Sequence, residues 1–483
     1  MIVFARETRD VINALTWARQ NDVSLRVRSG RHCLEGWSNV DDGIVIDVSE
    51  LKSTKIDAGA GTATVGAGVN QMEAVTALGK EGLAAPTGTE GTVGLVGATL
   101  GGGLGLLTRC LGLASDNLMA AKVVVASGAD GAQEITVDEK NNADLLWALR
   151  GAGNGNFGIV TSLTYKVHPL TRVTYVTVTW PGLNDLQAVF DAWQRSAPST
   201  DNRLTSQLEI HPGKILLFGA LANGSQEEAN ELLKPLLSVG NPEVVGTSGP
   251  WADTFASFQT PMHDEPANWK FLSQFTTEPF PAEAISLIGS YMTKAPSPES
   301  NYFTNAFGGA VKESEPAGGS AFAHRDALFY AEIGAGWGSR DGMPARVDPI
   351  TEKAQAWTAE FSQAMRPYVN GAYVNVPNAG AADWATSYWG ANVERLRSIK
   401  TKYDPSNVFH FEQSIPPAST PFLARHSASA FGIVARLWRF RSRVPRATPR
   451  PSSSRTGNRK AFQAIRSTLA TPRWLRAYRC QRI

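Results

Sequence analysis

The sequence predicts a mixed α+β protein with more than one domain, and three observations support this. First, 483 residues exceed what a single hydrophobic core usually holds, so two or three domains are expected. Second, short runs with the alternation and β-branched residues of strands are interleaved with amphipathic helical segments. Third, three glycine-rich loops fall within about 130 residues, a density that turns rarely need and that indicates a large bound ligand.

The composition supports a water-soluble globular enzyme or binding protein. Apolar residues make up 42% of the chain and charged residues 19%. No run of about 20 apolar residues is present, and the amino end lacks a signal peptide's pattern, so neither a membrane span nor secretion is expected. Cys33, Cys110 and Cys480 form no disulfide framework, which is typical of the reducing cytoplasm. The chain has no Cys-x-x-Cys or His-Glu-x-x-His motif, so no metal site is expected.

The charge distribution separates the carboxy-terminal tail from the rest of the chain. Residues 421–483 hold 15 Arg and Lys and no Asp or Glu. The first 420 residues therefore carry the other 31 basic groups against all 44 acidic ones, a net charge of −13. The tail is rich in Arg, Ser and Pro, which predicts a disordered segment that is dispensable for activity. Binding to nucleic acid or to an anionic membrane is the alternative, but no specific nucleic-acid partner is expected.

The elements of the first 170 residues can be placed in order. Residues 10–21 predict an amphipathic helix with Asp10 as its cap, and Asn70 is expected to cap a second helix that ends near residue 81. The remaining predictions are strands at 23–27, 43–47, 62–69 and 121–126, a helix at 142–150, and a strand from 159 to about 169.

The first glycine loop, residues 28–36, lies between two predicted strands. Its basic groups suit phosphates, and its glycines allow a backbone to approach a planar ligand. Taken alone, the loop is more consistent with a turn that carries a solvated histidine. The stretch 88–105 reverses that judgement, because eight glycines in 18 residues do not make a stable isolated helix or strand. Its Gly101-x-Gly103-x-Gly105 pattern lacks the spacing of a dinucleotide-binding fold.

Four motifs in order carry a resemblance to a known family. They are 28–32 (RSGRH), 88–105 followed by 112–117 (GLASDN), 155–160 (GNFGIV), and the carboxy-terminal pair 388–392 (YWGAN) and 403–409 (YDPSNVF). Together they resemble the FAD-linked oxidases of the vanillyl-alcohol oxidase, or PCMH, type. The berberine-bridge-enzyme-like (BBE) branch fits best, and the resemblance covers about residues 1–417.

The resemblance implies a two-subdomain PCMH-type FAD-binding domain and a substrate domain with an antiparallel sheet backed by helices. The expected divisions are an FAD domain at 1–170 that is short at its amino end, a substrate domain at 171–375, a BBE-like segment at 376–417 that returns to the FAD domain, and a basic tail at 418–483. Within the substrate domain we predict strands at 173–180, 203–211, 214–221 and 327–336 and helices at 183–195, 225–237, 281–293 and 348–366.

By the same resemblance, His32 carries a covalent bond to FAD. The position from which many relatives make a second bond through cysteine is Glu90, which cannot form a thioether, so a single linkage is expected. Cys33 belongs to the same loop, although its side chain is expected to point away and pack. The expected cofactor-binding residues are Arg28, Ser29, Gly30, Arg31, His32, Cys33, Thr92, Val93, Gly94, Gly97, Leu100, Gly101, Gly102, Gly105, Asp116, Asn117, Gly155, Asn156, Phe157, Gly158, Ile159, Val160, Asn392 and Asn407.

The catalytic base has three candidates. Carbohydrate-oxidising relatives use the second tyrosine of a Tyr-x-Asn-Tyr motif, and here the motif ends in Val376, which cannot accept a proton. Tyr330, Glu332 and Tyr388 are candidate replacements, and each is equally explained as a packed or hydrogen-bonded residue. A neutral amine needs no base for hydride loss, so Val376 mildly favours C–N over C–OH oxidation.

The resemblance implies an oxidase that takes a hydride from a small-molecule substrate onto FAD and passes the electrons to O2, giving H2O2. Val93 stands at the family's oxygen-access position, where a small residue favours an oxidase over a dehydrogenase. A non-catalytic flavin-binding protein on the same fold, or a carbohydrate or alcohol dehydrogenase, is the alternative.

Overall fold

The computed structural model describes residues 1–259, 268–338 and 348–418. Its amino-terminal region contains three small sheets. A parallel sheet has the order β1-β3-β2, an antiparallel sheet has the order β4-β5-β9-β7-β8, and β6 pairs with β10. The elements are β1 (Ile2–Phe4), α1 (Thr8–Gln20), β2 (Leu25–Arg28), β3 (Ile44–Asp47), β4 (Thr54–Asp57), β5 (Thr62–Gly66), α2 (Gln71–Gly79), β6 (Leu83–Ala84), α3 (Leu95–Gly101), α4 (Thr108–Leu111), β7 (Leu118–Ser127), β8 (Gly131–Val137), α5 (Ala143–Ala152), β9 (Ile159–Lys166) and β10 (His168–Pro169).

Two helix starts test the predicted caps. Asn70 caps α2 as predicted, with its Oδ1 accepting the Glu73 amide at 2.8 Å. The prediction for α1 is wrong by two residues, because the helix begins at Thr8. Asp10 lies in its first turn, and its carboxylate accepts the backbone amide of Arg6 at 2.8 Å.

The glycine stretch at 88–105 contains one element that the sequence did not predict, the seven-residue helix α3. Its residues Leu95, Val96 and Leu100 are buried in the core of the amino-terminal region. Burial of this apolar side therefore stabilises a helix that its glycine content alone would disfavour.

The middle of the chain forms one seven-stranded antiparallel sheet of order β14-β11-β13-β12-β16-β17-β15. The predicted strands and helices of this region are present within a few residues, and β14, β15 and β16 are additional. The elements are β11 (Val173–Pro181), α6 (Leu186–Ser196), β12 (Leu204–His211), β13 (Lys214–Ala222), α7 (Gln226–Leu232), α8 (Lys234–Leu237), β14 (Glu243–Gly249), α9 (Trp251–Ser257), β15 (Asn268–Thr276), α10 (Ala282–Met292), β16 (Asn301–Ala306), α11 (Ala310–Glu313), β17 (Phe329–Trp337) and α12 (Thr351–Met365).

The two faces of this large sheet differ because side chains alternate along each strand. One face, which we call the helix face, packs residues such as Val178, Leu208 and Ile333 into a core with α6, α10 and α12. The opposite face, which we call the site face, carries Gln207, Asn305, Tyr330 and Glu332 from β12, β16 and β17. The α+β class and the antiparallel sheet backed by helices are confirmed.

The last described residues return to the amino-terminal region through α13 (Trp384–Trp389) and α14 (Val393–Tyr403). Their apolar side chains join the core that also contains β3, β7 and β9. Lys400 is fully buried, and its Nζ donates to Asp404 Oδ2 at 2.7 Å and to the Asn156 carbonyl at 2.6 Å. One large core thus lies in the proposed FAD domain and another in the proposed substrate domain, and a smaller cluster joins residues of both, such as Val75 and Val173. The division into these two domains stays a prediction.

The predicted basic tail lies outside the described residues beyond residue 418. Among the helices that the structure does describe, none is both long and apolar enough to cross a membrane. Within the same residues, no three side chains of His, Cys, Asp or Glu are grouped as metal ligands.

Candidate functional site

The first glycine loop and the 88–105 stretch meet directly. A Cβ atom at Gly30 would lie 2.2 Å from the backbone nitrogen of Gly94, so only glycine allows this approach. Ser29 donates through Oγ to the Ala67 carbonyl at 2.5 Å, which fixes the loop against the strand-to-helix connection after β5. Two loops far apart in sequence therefore form one glycine-walled surface.

Both basic groups of the first loop are paired with Asp47 at the end of β3. Arg28 Nε lies 2.8 Å from Asp47 Oδ2, and Arg31 Nη2 lies 3.2 Å from the same oxygen. Burial by itself raises the pKa of Asp47, but hydrogen bonds from Ser49 and Arg28 lower it further than burial raises it. The buried carboxylate of Asp47 thus partly neutralises both guanidinium groups, and their role as phosphate ligands stays a prediction.

His32 lies exposed at the meeting point of the two loops. Its Nε2 is 3.0 Å from Thr92 Oγ1, and Thr92 donates through the same hydroxyl to Glu90 Oε1 at 2.7 Å. The Thr92 amide also donates to Glu90 Oε1, at 3.1 Å. Cys33, the next residue, is half-buried. The structure therefore brings together the predicted link residue and the residue that replaces the second link.

The glycine triplet 101–103 is held by backbone pairs. Gly103 and Gly102 accept the amides of Ala114 and Ser115 at 2.9 and 2.8 Å. Gly105 approaches the Thr87 carbonyl so closely that a Cβ would lie 2.2 Å from its oxygen. A Cβ at Gly97, in contrast, would meet no atom within 4 Å, so α3 has an open side there.

Three buried oxygens around this segment have no hydrogen-bond partner among the described residues: Thr87 Oγ1, Ser115 Oγ and Asn154 Oδ1. Buried polar atoms are normally paired, so unpaired ones around a glycine-walled surface indicate a missing polar ligand. FAD has both the planar ring that such a surface admits and the polar groups that these oxygens require. The residues present therefore fit FAD.

Asp116 and Asn117 are predicted to contact the cofactor. In the structure both side chains bond to the backbone of Leu113, and the contact with the cofactor stays a prediction. Asp116 Oδ1 accepts Arg325 Nη2 at 2.5 Å, and its Oδ2 accepts the Leu113 amide at 3.0 Å. Burial, the largest influence, raises the pKa of Asp116 despite the Arg325 charge. Asn117 donates through Nδ2 to the Leu113 carbonyl at 2.9 Å, and its Oδ1 accepts a hydrogen bond from His168 Nε2 at 2.7 Å.

The third glycine loop connects the FAD region to the end of the described chain. Asn156 Oδ1 accepts the Ile415 amide at 2.9 Å, and a Cβ at Gly158 would lie 2.8 Å from the Val124 carbonyl oxygen. Phe157, Ile159 and Val160 are buried in the core. Their contacts position the loop.

The two carboxy-terminal asparagines behave differently from each other. Asn392, at the start of α14, donates through Nδ2 to the Ala321 carbonyl at 3.1 Å. Asn407 adopts a positive φ of 52°, and its buried Oδ1 has no partner among the described residues.

Tyr330 and Glu332 lie side by side on the site face of β17. The Tyr330 hydroxyl donates to Glu332 Oε2 at 2.6 Å. Tyr330 is 2% exposed, and Glu332 is half-buried. Burial raises the pKa of Glu332 to about 7, with a smaller contribution from the charge of Glu209 on β12. Burial and the Glu332 charge also raise the pKa of Tyr330.

Tyr388, the third catalytic candidate, lies elsewhere. It is buried in the core of the amino-terminal region, where its hydroxyl donates to Gln413 Oε1 at 2.8 Å and accepts the Asn378 amide at 3.1 Å. Burial raises its pKa above the usual value. The structure thus does not bring Tyr388 together with Tyr330 and Glu332, and its catalytic role stays a prediction.

The segment that replaces the Tyr-x-Asn-Tyr motif spans both regions. The Tyr373 hydroxyl accepts the Gly103 amide at 2.7 Å and Asn375 Nδ2 at 2.8 Å. Asn375 Nδ2 also donates to the Ala98 carbonyl at 2.8 Å, which fixes the orientation of that amide. The Tyr373 and Tyr330 rings are 5.5 Å apart, centroid to centroid. Val376 packs on the same aromatic cluster and supplies no polar group.

One residue that sequence reasoning missed is Arg109, on the short helix α4. Its side chain is fully buried and holds α4 against the loop before β12. The acceptors are the carbonyls of Pro198, Thr200, Asp201, Leu204 and Phe307 and the side chain of Asn202. An isolated arginine in a short apolar helix gives no sequence signal for such a role.

Comparison with known proteins agrees with this arrangement. Residues 1–129 match a family model described as an FAD binding domain, and residues 372–416 match one described as berberine and berberine like. The FAD-linked oxidoreductase YgaK of Bacillus subtilis (strain 168) is 40% identical over 424 residues, covering 86% of this chain and 91% of that protein. YvdP, an FAD-linked oxidoreductase of the same strain, is 41% identical over 428 residues, covering 86% and 92%.

Solved structures show the same fold. BBE-like 1 of Physcomitrella patens superposes with a TM-score of 0.78 at 27% identity, covering 86% of this chain and 91% of that chain. BBE-like #28 from Arabidopsis thaliana gives 0.76 at 27% identity with the same coverage. With the glycine-walled surface, the paired loops and the large sheet in place, the chain belongs to the berberine-bridge-enzyme-like family of FAD-linked oxidoreductases, built on a PCMH-type FAD-binding region.

Proposed function

We propose that this FAD-linked oxidoreductase oxidises a C–OH or C–N bond of a small molecule and uses O2 as its electron acceptor, so that H2O2 is the second product. FAD supplies the hydride acceptor. The observation that carries the proposal is the Tyr330–Glu332 pair on the site face, which provides a proton acceptor where Val376 provides none.

The pair is suited to accept a substrate proton near neutral pH. Tyr330 donates its hydroxyl proton to Glu332, so the Tyr330 oxygen is available to accept a proton from a substrate hydroxyl as its own moves to the carboxylate. A carboxyl pKa of about 7 lets Glu332 accept that proton and release it to solvent at physiological pH. We infer that Glu332 is the final proton acceptor and Tyr330 the group that contacts the substrate.

This pair also changes the balance between substrate classes. Val376 alone favours amines, because an amine needs no base after it has lost its ammonium proton. Glu332 supplies the missing base for an alcohol, and it also accepts the proton of an ammonium group. The proposal therefore includes both classes. Tyr373, held by Gly103 and Asn375, faces the same aromatic cluster and is expected to orient the reacting group.

The residues that would hold FAD are those of the glycine-walled surface: 29–33, 92–94, 97–105 and 155–160, with Asp116, Asn117, Asn392 and Asn407 as supports. Arg28 and Arg31 belong to the same loop through Asp47. We propose a single covalent link through His32. Acid precipitation of the protein should leave the flavin on the peptide that contains His32, and His32→Ala should release it. Flavin found on Cys33 or Cys110 would contradict the assignment.

A substrate panel tests the reaction. Under anaerobic conditions, at least one alcohol, sugar or amine should bleach the flavin absorbance of the purified protein. Oxygen-electrode traces with the same compound then distinguish an oxidase, which consumes O2, from a dehydrogenase. A protein whose flavin no compound bleaches would favour a non-catalytic flavin-binding role.

A further inference from the structure

Glu90 stands where many relatives form their second flavin link, and the structure gives it a different task. Its carboxylate accepts both the amide and the hydroxyl of Thr92, at 3.1 and 2.7 Å. Thr92 Oγ1 is in turn 3.0 Å from His32 Nε2. The three side chains form a continuous series from a carboxylate through a hydroxyl to an imidazole.

The direction of these hydrogen bonds follows from the proton count. A threonine hydroxyl has one proton, and the carboxylate, which can only accept, takes it. Thr92 Oγ1 is then an acceptor toward His32, so Nε2 must carry the imidazole proton. In neutral imidazole, the other nitrogen, Nδ1, consequently has the lone pair that a nucleophile needs.

We propose that Glu90 acts through Thr92 as a positioning and proton-accepting residue that promotes covalent attachment of FAD to His32. This inference rests on the proposed His32 linkage. In the attachment, a bond forms between Nδ1 and the carbon of a flavin ring methyl group, and one C–H bond of that methyl group breaks. In total, the imidazole and the methyl group lose two electrons and two protons, and O2 accepts them to form H2O2.

The chain's part in this reaction concerns the imidazole proton. As Nδ1 forms its new bond, positive charge develops on the ring, and a carboxylate connected through a hydroxyl stabilises it. The Nε2 proton passes to Thr92 Oγ1 while the Thr92 proton passes to Glu90. The residue that cannot form a second link thus assists the first one.

The test measures covalent flavin rather than turnover. Flavin-free protein, prepared from riboflavin-starved cells, is mixed with FAD in air, and the covalent fraction is followed by acid precipitation and intact mass. We expect Glu90→Gln and Thr92→Val each to slow attachment by about a hundredfold. In Glu90→Gln, total FAD bound, covalent plus exchangeable, should stay near the wild-type value because residue 90 is not part of the glycine-walled surface.

Two further variants separate this role from a structural one. Thr92→Ser keeps the hydroxyl and should restore attachment to near the wild-type rate. Glu81→Gln, which neutralises an exposed carboxylate just after α2, should have no effect. If Glu90→Gln attaches flavin at the wild-type rate while His32→Ala attaches none, the inference about Glu90 is wrong and the His32 linkage stands. A wild-type protein without flavin on His32 would instead overturn the linkage and this inference together.

Discussion

The two faces of the seven-stranded sheet are made by the same strands, yet they differ in what they bury. On the helix face, Trp193 of α6 packs against Phe190 and Phe329 with ring centroids 6.0 and 5.1 Å apart, and all three side chains are fully buried. On the site face, β17 places Glu332 in a half-buried position where its pKa rises to about 7.

The difference indicates how stability and activity are divided in this domain. Apolar burial on the helix face stabilises the fold without contacting the site. The site face instead keeps a carboxyl group in an environment that disfavours its charge, which costs stability but gives a proton acceptor suited to neutral pH. Substitution of a core residue on the helix face should therefore lower stability and leave kcat unchanged. Substitution of the carboxyl group on the site face should lower kcat without lowering stability.

The largest expected effect is on the helix face. Trp193→Ala removes a fully buried indole whose Nε1 donates to Ser206 Oγ at 3.0 Å. It should lower the free energy of unfolding by about 3–5 kcal/mol in urea titrations. At 10 °C the surviving folded protein should keep its kcat. A large loss of kcat per folded molecule would show that the two faces are coupled.

On the site face, Glu332→Gln should do the reverse. It removes the proton acceptor, so kcat for an alcohol substrate should fall by about a hundredfold or more. Thermal stability should stay equal or rise, because a half-buried charge is lost. Glu209→Gln is the matched control: it changes a carboxylate on the same face, two strands away, and should leave kcat within about threefold. Equal losses in both variants would contradict the role of Glu332.

The pH dependence should sharpen the same contrast. Because Glu332 must be ionised to accept a proton, kcat/KM for an alcohol should rise with pH and level off above about pH 7. Its folded pKa lies above its unfolded value, so its contribution to stability is greatest below about pH 4.5 and is lost as pH rises through 7. Glu332→Gln should flatten both profiles, and a kcat/KM that is independent of pH between 5 and 8 would contradict this.

The smallest effect concerns a buried polar pair on the site face. Gln207 Nε2 donates to Asn305 Oδ1 at 2.7 Å and joins β12 to β16. Gln207→Leu leaves the Asn305 oxygen unpaired and should cost on the order of 1–2 kcal/mol of unfolding free energy. The double variant Gln207→Leu/Asn305→Leu should recover part of that loss. An additive result in this double-mutant cycle would show that the pair does not interact energetically.

The sequence predicted more of the helix face than of the site face. The strands at 173–180 and 214–221 are apolar enough to be recognised without their partners. β16 was missed because it has only six residues and two of them, Asn301 and Asn305, are asparagines, which are uncommon in strands. β14 was missed because glycine interrupts it and nearly all its residues are exposed.

The candidate site shows the same division. Glycine loops are visible in a sequence because their composition is unusual, and the i, i+2 spacing of Tyr330 and Glu332 places both on one face of a strand. The approach of Gly30 to Gly94 and the bonds of Arg109 join segments 64 to 198 residues apart. Such contacts depend on the tertiary fold, and one sequence does not contain them.

The return of the last described residues to the first region has a consequence for biosynthesis. Ile415 bonds to Asn156, and Lys400 joins Asn156 to the Asp404 turn, so this core closes across some 250 residues of intervening chain. At roughly 5–20 residues per second, a ribosome needs on the order of 10–50 s to supply the missing side. The seven-stranded sheet lies between these two parts of the chain and is synthesised earlier. In the nascent chain, the sheet should therefore fold before the core of the amino-terminal region is complete.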